Sequence, residues 1–372
     1  MKAQPARALL LLVFSMGAAW HACAADPPPV GFETREFTDA SRSNWQNTGR
    51  RPLSTVIWYP AAAGAPLSVP QMGDPAWRPY FVQREFAVAG PLSEQAPRYP
   101  IVLLSHGSTS VNLSLQWLGA HLAEHGYIAA AVNHHGNTGA EGRPIAQGFM
   151  APWERAADLS ALLDQMLADP KFGAHIDKSR VFAAGHSAGG ATAIILAGGQ
   201  FSGEEISKFC ASPTAARDSS CEPRELIEKS IAEIEQLRTH DVAVQESLAR
   251  AKRSYRDERI RAVVAMAPAV GPAFTDATLH AITTPVFIVT AREDAVTSPA
   301  TNALRYARLI PDARLLTVPG NANHFTFGSD CTEEGRRKLD PCRDGEGTDR
   351  AAVHELVAQR VLKFFETASY QK

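Results

Sequence analysis

The stretch of sequence at residues 181–197, VFAAGHSAGGATAIILA, decides the fold of this chain. It opens with four apolar residues, which is typical of a buried strand, and it closes with small and apolar residues typical of a closely packed helix. Between them lies Gly185-His186-Ser187-Ala188-Gly189, a Gly-x-Ser-x-Gly sequence. In a strand-to-helix setting this motif predicts a tight turn that holds the serine at the carboxyl edge of a sheet, at a helix N-terminus. Ser187 is therefore a candidate nucleophile.

Short apolar segments alternate with amphipathic segments on both sides of that turn. Two segments, about 33–37 and 54–58, predict an antiparallel start to a sheet. The later strand-like segments are 100–104, 128–132, 181–184, 260–266, 286–289 and 314–318, and the helix-like segments are 113–125, 154–167, 191–197 and 351–365. This alternation predicts the α/β class, with a mostly parallel central sheet and helices on both of its faces.

Two predicted insertions interrupt this pattern. Residues 61–97 are rich in Pro, Gly and Ala, and we expect a loop-rich insertion there. Residues 201–258 are more charged than their flanks, and Ile227, Ile231 and Ile234 recur at helical spacing, so we expect a charged helical insertion. This second insertion either packs on the body of the domain or forms a cap over Ser187.

The N-terminal residues 1–24 are typical of a cleavable signal peptide. Lys2 and Arg7 precede an apolar run at residues 8–14, and a small-residue triplet follows at 22–24. The run is too short for a membrane span, which needs about 20 apolar residues. We therefore expect residues 25–372 to form one exported domain, periplasmic or secreted, without stable membrane insertion.

The composition, 45% hydrophobic and 20% charged, fits a globular protein with a large core. Its formal charge is −2, and removal of two basic and no acidic residues with the signal peptide would make it −4. This weak acidity gives no support for nucleic-acid binding, which would need a basic stripe. The sequence does not indicate an oligomeric state.

The cysteines beyond residue 24 form two local pairs, Cys210 with Cys221 and Cys331 with Cys342. An even number of cysteines in an exported protein indicates disulfides. Three connectivities are possible, and we favour the two local ones because short loops cost the least entropy to close. A zinc site is the alternative, although the close Cys-x-x-Cys spacing of such sites is absent. Cys23 could instead mark a lipoprotein, but the residues before it do not fit that motif.

A catalytic serine needs a base within hydrogen-bond reach and a group that orients the base. In folds with this type of serine turn, the chain order is serine, acid, histidine. Asp294 lies in the loop after the predicted strand 286–289, and His324 lies in the loop after 314–318. We therefore predict a catalytic triad of Ser187, Asp294 and His324, with Glu293 as the alternative acid.

Acyl transfer also needs donors aimed at the developing oxyanion. We predict that the backbone N–H of Ala188 is one donor and that of Ser108, after the strand 100–104, is the other, with Gly107 as the alternative. His106 is expected to bond the neighbouring loop.

Four residues near the expected edge of the sheet are candidates for substrate binding: Gly107, His134, His135 and His186. His134 and His135 make a poor metal pair, because adjacent residues at a strand end point in different directions. The predicted chemistry requires neither a metal nor a cofactor, and its partner is a small-molecule ester substrate.

With these residues identified, the chain resembles the bacterial relatives of platelet-activating-factor acetylhydrolase and the proteins called predicted dienelactone hydrolases. The resemblance rests on residues 51–53 and 58–60, the segment 105–107, the stretch 133–138, the serine turn and residues 323–325. It implies the α/β-hydrolase fold and hydrolysis of carboxylic esters with short acyl chains or of other small esters. True dienelactone hydrolases have a cysteine where Ser187 stands, and the segment 201–258 is not part of the core of the fold.

Two other functions stay open at the level of the sequence. The same triad could cleave amides or peptides, although the chain lacks a β-propeller or another large substrate-selecting domain. The chain could also be a noncatalytic exported binding protein on a hydrolase scaffold, against which the intact triad argues.

Overall fold

The structure is a computed structural model that describes residues 28–73, 76–142, 144–213, 215, 218–221 and 224–369. The predicted signal peptide, residues 1–24, lies outside these residues.

The described residues form one nine-stranded sheet with the strand order β3-β1-β2-β5-β4-β6-β7-β8-β9. Strand β2 runs antiparallel to β1 and to β5, and from β5 to β9 every neighbouring pair is parallel. The strands are β1 (Val30–Ser43), β2 (Arg50–Pro60), β3 (Ala87–Val88), β4 (Tyr99–Ser105), β5 (Ile128–Val132), β6 (Ile176–His186), β7 (Ile260–Met266), β8 (Val286–Ala291) and β9 (Arg314–Val318). The predicted antiparallel start and mostly parallel sheet are both confirmed.

Helices cover both faces of this sheet, as predicted. Helices α3, α4 and α9 share one buried apolar cluster with one face, while α1 and α11 share a second cluster with the other face. The helices are α1 (Gln116–Glu124), α2 (Ala146–Met150), α3 (Pro152–Ala168), α4 (Ala188–Leu196), α5 (Gly203–Cys210), α6 (Arg224–Leu237), α7 (Val242–Arg250), α8 (Asp276–His280), α9 (Ala303–Leu309), α10 (Glu333–Lys338) and α11 (Arg350–Ser369). In the part of the chain that the structure describes, no helix has both the length and the apolar character needed to span a bilayer.

The segment 201–258 contains α5, α6 and α7, and the three isoleucines used to predict a helix lie in α6. Helix α7 packs on the start of α3, where Ser247 Oγ donates to Glu154 Oε1 at 2.7 Å and accepts from Trp153 Nε1 at 3.0 Å. These contacts favour the interpretation in which the insertion packs on the body of the domain.

One local prediction needed correction, and one segment contains an element that was not predicted. The predicted helix 113–125 is divided, because a 3-10 turn (Asn112–Leu115) precedes α1. The loop-rich segment 61–97 contributes the short strand β3, which exists because Ala87 and Val88 pair with β1. Neither feature has a sequence period of its own.

Candidate active site

Ser187 occupies a strained turn between β6 and α4. Its backbone has φ 57° and ψ −119°, a conformation that costs a residue with a side chain about 1–3 kcal/mol. The turn is tight enough that a Cβ at Gly189 would collide with the Ser105 carbonyl oxygen, and a Cβ at Gly185 would collide with the Gly189 backbone. Ser187 N–H donates to the Met266 carbonyl at 2.9 Å, which fixes the turn to the neighbouring strand. The serine is thus held, partly exposed, at the carboxyl end of β6.

His324 and Asp294 form a buried hydrogen-bonded pair. His324 Nδ1 lies 2.9 Å from Asp294 Oδ2, and because a carboxylate only accepts, Nδ1 carries the proton and Nε2 is left as the basic nitrogen. The other oxygen, Asp294 Oδ1, accepts from the backbone N–H groups of Val296 at 2.9 Å and Thr297 at 2.7 Å. These bonds fix the carboxylate and, through it, the orientation of the imidazole.

The His324 imidazole lies beside the serine turn. Its ring centroid is 4.7 Å from that of His186, the residue before the serine, and His186 Nε2 donates to the His324 carbonyl at 3.0 Å. Burial, together with the positive charge that His324 can carry, holds the pKa of His186 well below its ordinary value, so His186 is neutral. Among the hydrogen bonds of the described residues, none joins Ser187 Oγ to His324.

The 3-10 turn that carries His324 (His324–Phe327) is held by helices on the same side of the sheet. Trp117 Nε1 of α1 donates to the Phe327 carbonyl at 3.2 Å, and His354 Nε2 of α11 donates to the Thr326 carbonyl at 2.7 Å. The Trp117 and His354 rings are stacked, with centroids 4.1 Å apart. These contacts keep the His324 imidazole at the edge of the sheet.

The loop predicted to supply an oxyanion donor lies next to the serine. A Cβ built on Gly107 would lie 3.5 Å from Ser187 Cβ. Asn137 holds this loop, because its Oδ1 accepts from Ser108 Oγ at 3.1 Å and from Thr109 N–H at 2.9 Å. On the other side, Ala188 is the first residue of α4, where a backbone N–H has no intrahelical partner.

His134 and His135 both face the interior. His134 Nδ1 donates to Asp158 Oδ2 at 3.0 Å, and its Nε2 lies 2.9 Å from Ser105 Oγ; burial, with the nearby charge of Arg155, lowers its pKa to about 3. His135 Nδ1 lies 2.9 Å from Glu141 Oε1. These contacts favour structural roles over contact with a substrate.

His106 also has an internal role, as expected. Its Nδ1 lies 2.6 Å from the Gly107 carbonyl, and its Nε2 accepts from His134 N–H at 3.2 Å. Burial, with the nearby charge of Arg155, holds the pKa of His106 well below its ordinary value.

Arg155, which the sequence indicates as a packing and ion-pair residue without chemistry of its own, lies close to the serine turn. Its guanidinium donates to the His106 carbonyl, to Ser105 Oγ at 3.3 Å and to Thr192 Oγ1 at 3.2 Å. Thr192 Oγ1 in turn donates to the Ala188 carbonyl at 2.9 Å. Burial lowers the pKa of Arg155 to about 9. The side chain thus links the base of the Gly107 loop to the first turn of α4.

Asp158 is the anionic centre of the same buried network. It accepts from Arg51 Nε at 2.6 Å and lies 2.8 Å from Arg42 Nη2. Burial alone would raise its pKa, but these two guanidiniums and the bond from His134 hold it well below the ordinary value. In the sequence, the charged residues at 154, 155 and 158 indicate this network. They lie on the first turns of a helix whose inner face is otherwise apolar.

Both predicted local disulfides are present. Cys210 and Cys221 are bonded with a Cα–Cα distance of 5.5 Å, and Cys331 and Cys342 with one of 5.7 Å. The second bond closes a loop that starts shortly after the His324 turn.

Comparison with known proteins gives the family and the fold. The family model described as "Alpha/beta hydrolase family" matches residues 101–334. A solved structure of a ferulic acid esterase from Streptomyces cinnamoneus superposes with a TM-score of 0.63, covers 93% of this chain and 92% of its own, and is 22% identical in sequence. At that identity the superposition shows the fold alone.

Curated relatives match over shorter stretches. "Cutinase est1" of Thermobifida alba is 35% identical over 101 residues, which is 27% of this chain and 30% of the relative. "Lipase 1" of Moraxella sp. (strain TA144) is 35% identical over 91 residues, or 24% of this chain and 25% of the relative. The chain thus spans less than a third of the length of either relative. The family match covers more than half of the chain and includes the serine turn and His324, so the chain belongs to the alpha/beta hydrolase family.

Proposed function

We propose that this chain is an exported carboxylic ester hydrolase that acts through Ser187, His324 and Asp294. The observation that carries the proposal is the hydrogen-bonded His324–Asp294 pair beside a serine held at positive φ. Strained backbone of this kind is typical of residues that the surrounding structure positions for chemistry.

The mechanism follows from the roles of these groups. His324 Nε2 takes the hydroxyl proton of Ser187 as Oγ attacks the ester carbonyl, and Asp294 stabilises the resulting imidazolium through Nδ1. The backbone N–H groups of Ala188 and Ser108 stabilise the oxyanion of the tetrahedral intermediate. His324 then protonates the leaving alkoxide, and a water molecule activated by the same imidazole cleaves the acyl-enzyme. The hydrogen bond between Ser187 Oγ and Nε2 would form when substrate binds, since such bonds are often long in the free enzyme.

Small esters are the proposed substrates. Support comes from the resemblance to bacterial platelet-activating-factor acetylhydrolase-like proteins and from relatives and a structural neighbour whose names are cutinase, lipase and ferulic acid esterase. All three names describe ester hydrolysis, which favours esters over the amides and peptides that the same triad could cleave.

We further propose that residues 1–24 are removed on export and that residues 25–372 form one hydrolase domain in the periplasm or outside the cell. Two disulfides fit an oxidising compartment. The segments 61–97 and 201–258 are insertions in that domain.

The test is covalent labelling and turnover. Wild-type protein should hydrolyse short p-nitrophenyl esters and react with a fluorophosphonate probe, whereas Ser187→Ala should lose labelling and at least about 10³-fold in kcat. The matched control is Ser108→Ala, which removes a nearby hydroxyl but keeps the backbone N–H, and it should still be labelled. Turnover or labelling that survives in Ser187→Ala would refute the assignment. An ester and an amide with the same acyl group separate esterase from amidase.

A further inference from the structure

A cluster of three possible metal ligands lies on α1, outside the candidate active site. His121, Glu124 and His125 occupy positions i, i+3 and i+4, which share one face of a helix. Each can present one ligand atom such that all three atoms lie within 4.8 Å of one another. The two imidazole rings are already stacked, with centroids 4.4 Å apart.

The free nitrogens of the two histidines are available at this cluster. His125 Nδ1 donates to the His121 carbonyl at 2.8 Å, which leaves His125 Nε2 unprotonated and able to bind a cation. His121 Nε2 is buried and is among the buried side-chain atoms of the described residues that have no hydrogen-bond partner. Buried polar atoms are normally paired, and a bound cation would pair this nitrogen.

The charges that face the cluster are mostly negative. Glu355 of α11 lies across from it, with Oε2 at 3.6 Å from His121 Nδ1. Arg84, from the 61–97 segment, pairs with Glu124 Oε1 at 3.0 Å and leaves the second oxygen of that carboxylate available.

We propose that His121 Nε2, Glu124 and His125 Nε2 bind a Zn²⁺ ion, with Glu355 orienting the His121 imidazole through Nδ1. Two imidazoles with carboxylate oxygen suit zinc among the common divalent ions, whereas Ca²⁺ and Mg²⁺ prefer sites built from oxygen alone. The ligand atoms lie within 4.8 Å of one another, and rotamer changes of the exposed His125 and the partly buried His121 and Glu124 would bring them to the separations of a tetrahedral site.

The position of this site gives it a structural consequence. By fixing His121 it would strengthen the contact of His121 with Glu355 between α1 and α11, and these helices supply Trp117 and His354, the stacked pair that holds the His324 turn. Bound zinc should therefore stabilise the fold near the catalytic histidine without contacting the reacting groups. This inference does not depend on the proposed function.

Zinc binding to the full mature chain, produced without a histidine tag and stripped with a chelator, tests the proposal. Calorimetric titration with ZnCl2 at pH 7 should give one Zn²⁺ per chain at micromolar affinity, and the ion should raise the Tm. His125→Gln, a change at an exposed side chain, should weaken binding by at least about 10-fold, and Glu355→Gln should weaken it less. Ser187→Ala should bind zinc like the wild type.

The matched control is His280→Gln on α8, another exposed histidine at a helix end, and it should leave zinc affinity unchanged. Absence of stoichiometric binding at micromolar zinc would overturn the proposal. So would unchanged affinity in a folded His121→Gln, His125→Gln double variant, because the ion would then be bound elsewhere.

Discussion

At the scale of single residues, three buried histidines next to the candidate site stay neutral. Burial lowers the pKa of His106, His134 and His186 below the ordinary value, and for His134 to about 3. Each has a fixed internal partner, so each keeps one tautomer. These three uncharged imidazoles are held in fixed orientations close to the serine turn.

These histidines make the fold sensitive to acid, and the sign follows from linkage. An unfolded histidine gains a proton below pH 6.5, whereas His134 in the folded state does not until about pH 3. The unfolded state therefore binds more protons in this window, and stability falls as the pH falls from 6.5 towards 3. Each such histidine contributes up to about 1.4 kcal/mol per pH unit. Asp158 does not offset this loss of stability, because its lowered pKa leaves it ionised throughout the upper part of this pH range.

We predict that His134→Gln has a shallower decline of unfolding free energy between pH 6 and pH 5, by up to about 1.4 kcal/mol per pH unit. Urea unfolding at the two pH values measures this slope, whatever the absolute stability of the variant. The exposed His280→Gln serves as the control and should keep the wild-type slope. A His134→Gln slope equal to that of the wild type would show that this imidazole does not stay neutral in the folded state.

The positions of site residues could be predicted from sequence where they follow from the local pattern. Ser187, Asp294 and His324 each lie just after an apolar strand, and the ends of parallel strands meet at one edge, so their proximity follows from the pattern. The orientations of His134 and His135 do not follow from it. They depend on Asp158 and Glu141, and no local pattern indicates those contacts.

At the scale of elements, two loops at the carboxyl edge of the sheet are fastened to each other. The loop after β5 holds the loop after β4 through asparagine carbonyls: Asn137 Oδ1 accepts from Thr109 N–H at 2.9 Å, and Asn133 Oδ1 accepts from Asn112 N–H at 2.8 Å. Thr109 has φ 60°, so this loop carries strain that the bonds must offset. The proposed donor Ser108 is the residue directly before Thr109.

We predict that Asn137→Ala lowers kcat for a p-nitrophenyl ester by about 10- to 100-fold with KM changed less than about twofold. The loop would relax and move the Ser108 N–H off the oxyanion, which is bound more tightly in the transition state than in the ground state. Asn44→Ala is the matched control, since Asn44 Oδ1 accepts from Thr48 N–H at 2.9 Å in the same manner, in the turn between β1 and β2. Equal kinetics for the two variants would contradict this role for Asn137.

The elements that were predicted well from the sequence are those whose own residues show a helical spacing of apolar side chains or a continuous apolar run. Strands β4 to β8 are buried along most of their length, so the runs stand out, and α6 shows helical spacing. Strand β3 and helix α2 are short, at two and five residues, and owe their form to partners distant in sequence. No local signal distinguishes them from loop.

At the scale of the whole molecule, the loop-rich segment and the C-terminal disulfide loop support each other beside the His324 turn. Val82 N–H donates to the Asp330 carbonyl at 3.0 Å, and Thr332 N–H donates to the Tyr80 carbonyl at 3.0 Å. Asp344, just past Cys342, accepts from Thr326 Oγ1 at 2.6 Å within the turn itself. The position of the His324 imidazole thus depends on a layer built from both ends of the domain, in addition to the sheet.

The two disulfides offer a matched test of this layer, because both join cysteines 11 residues apart. Chain entropy alone predicts that loss of either bond lowers the unfolding free energy by about 3 kcal/mol.

Only the Cys331–Cys342 loop adjoins the His324 turn, so the double variant Cys331→Ala, Cys342→Ala should also lose about 10-fold or more in kcat, as expected when a base loses its alignment. The variant Cys210→Ala, Cys221→Ala should keep wild-type kcat at temperatures where both remain folded. Chemical unfolding gives the unfolding free energy of each variant, and ester kinetics measured in parallel give its kcat. An equal loss of kcat in both variants would mean that the disulfides act on global stability alone.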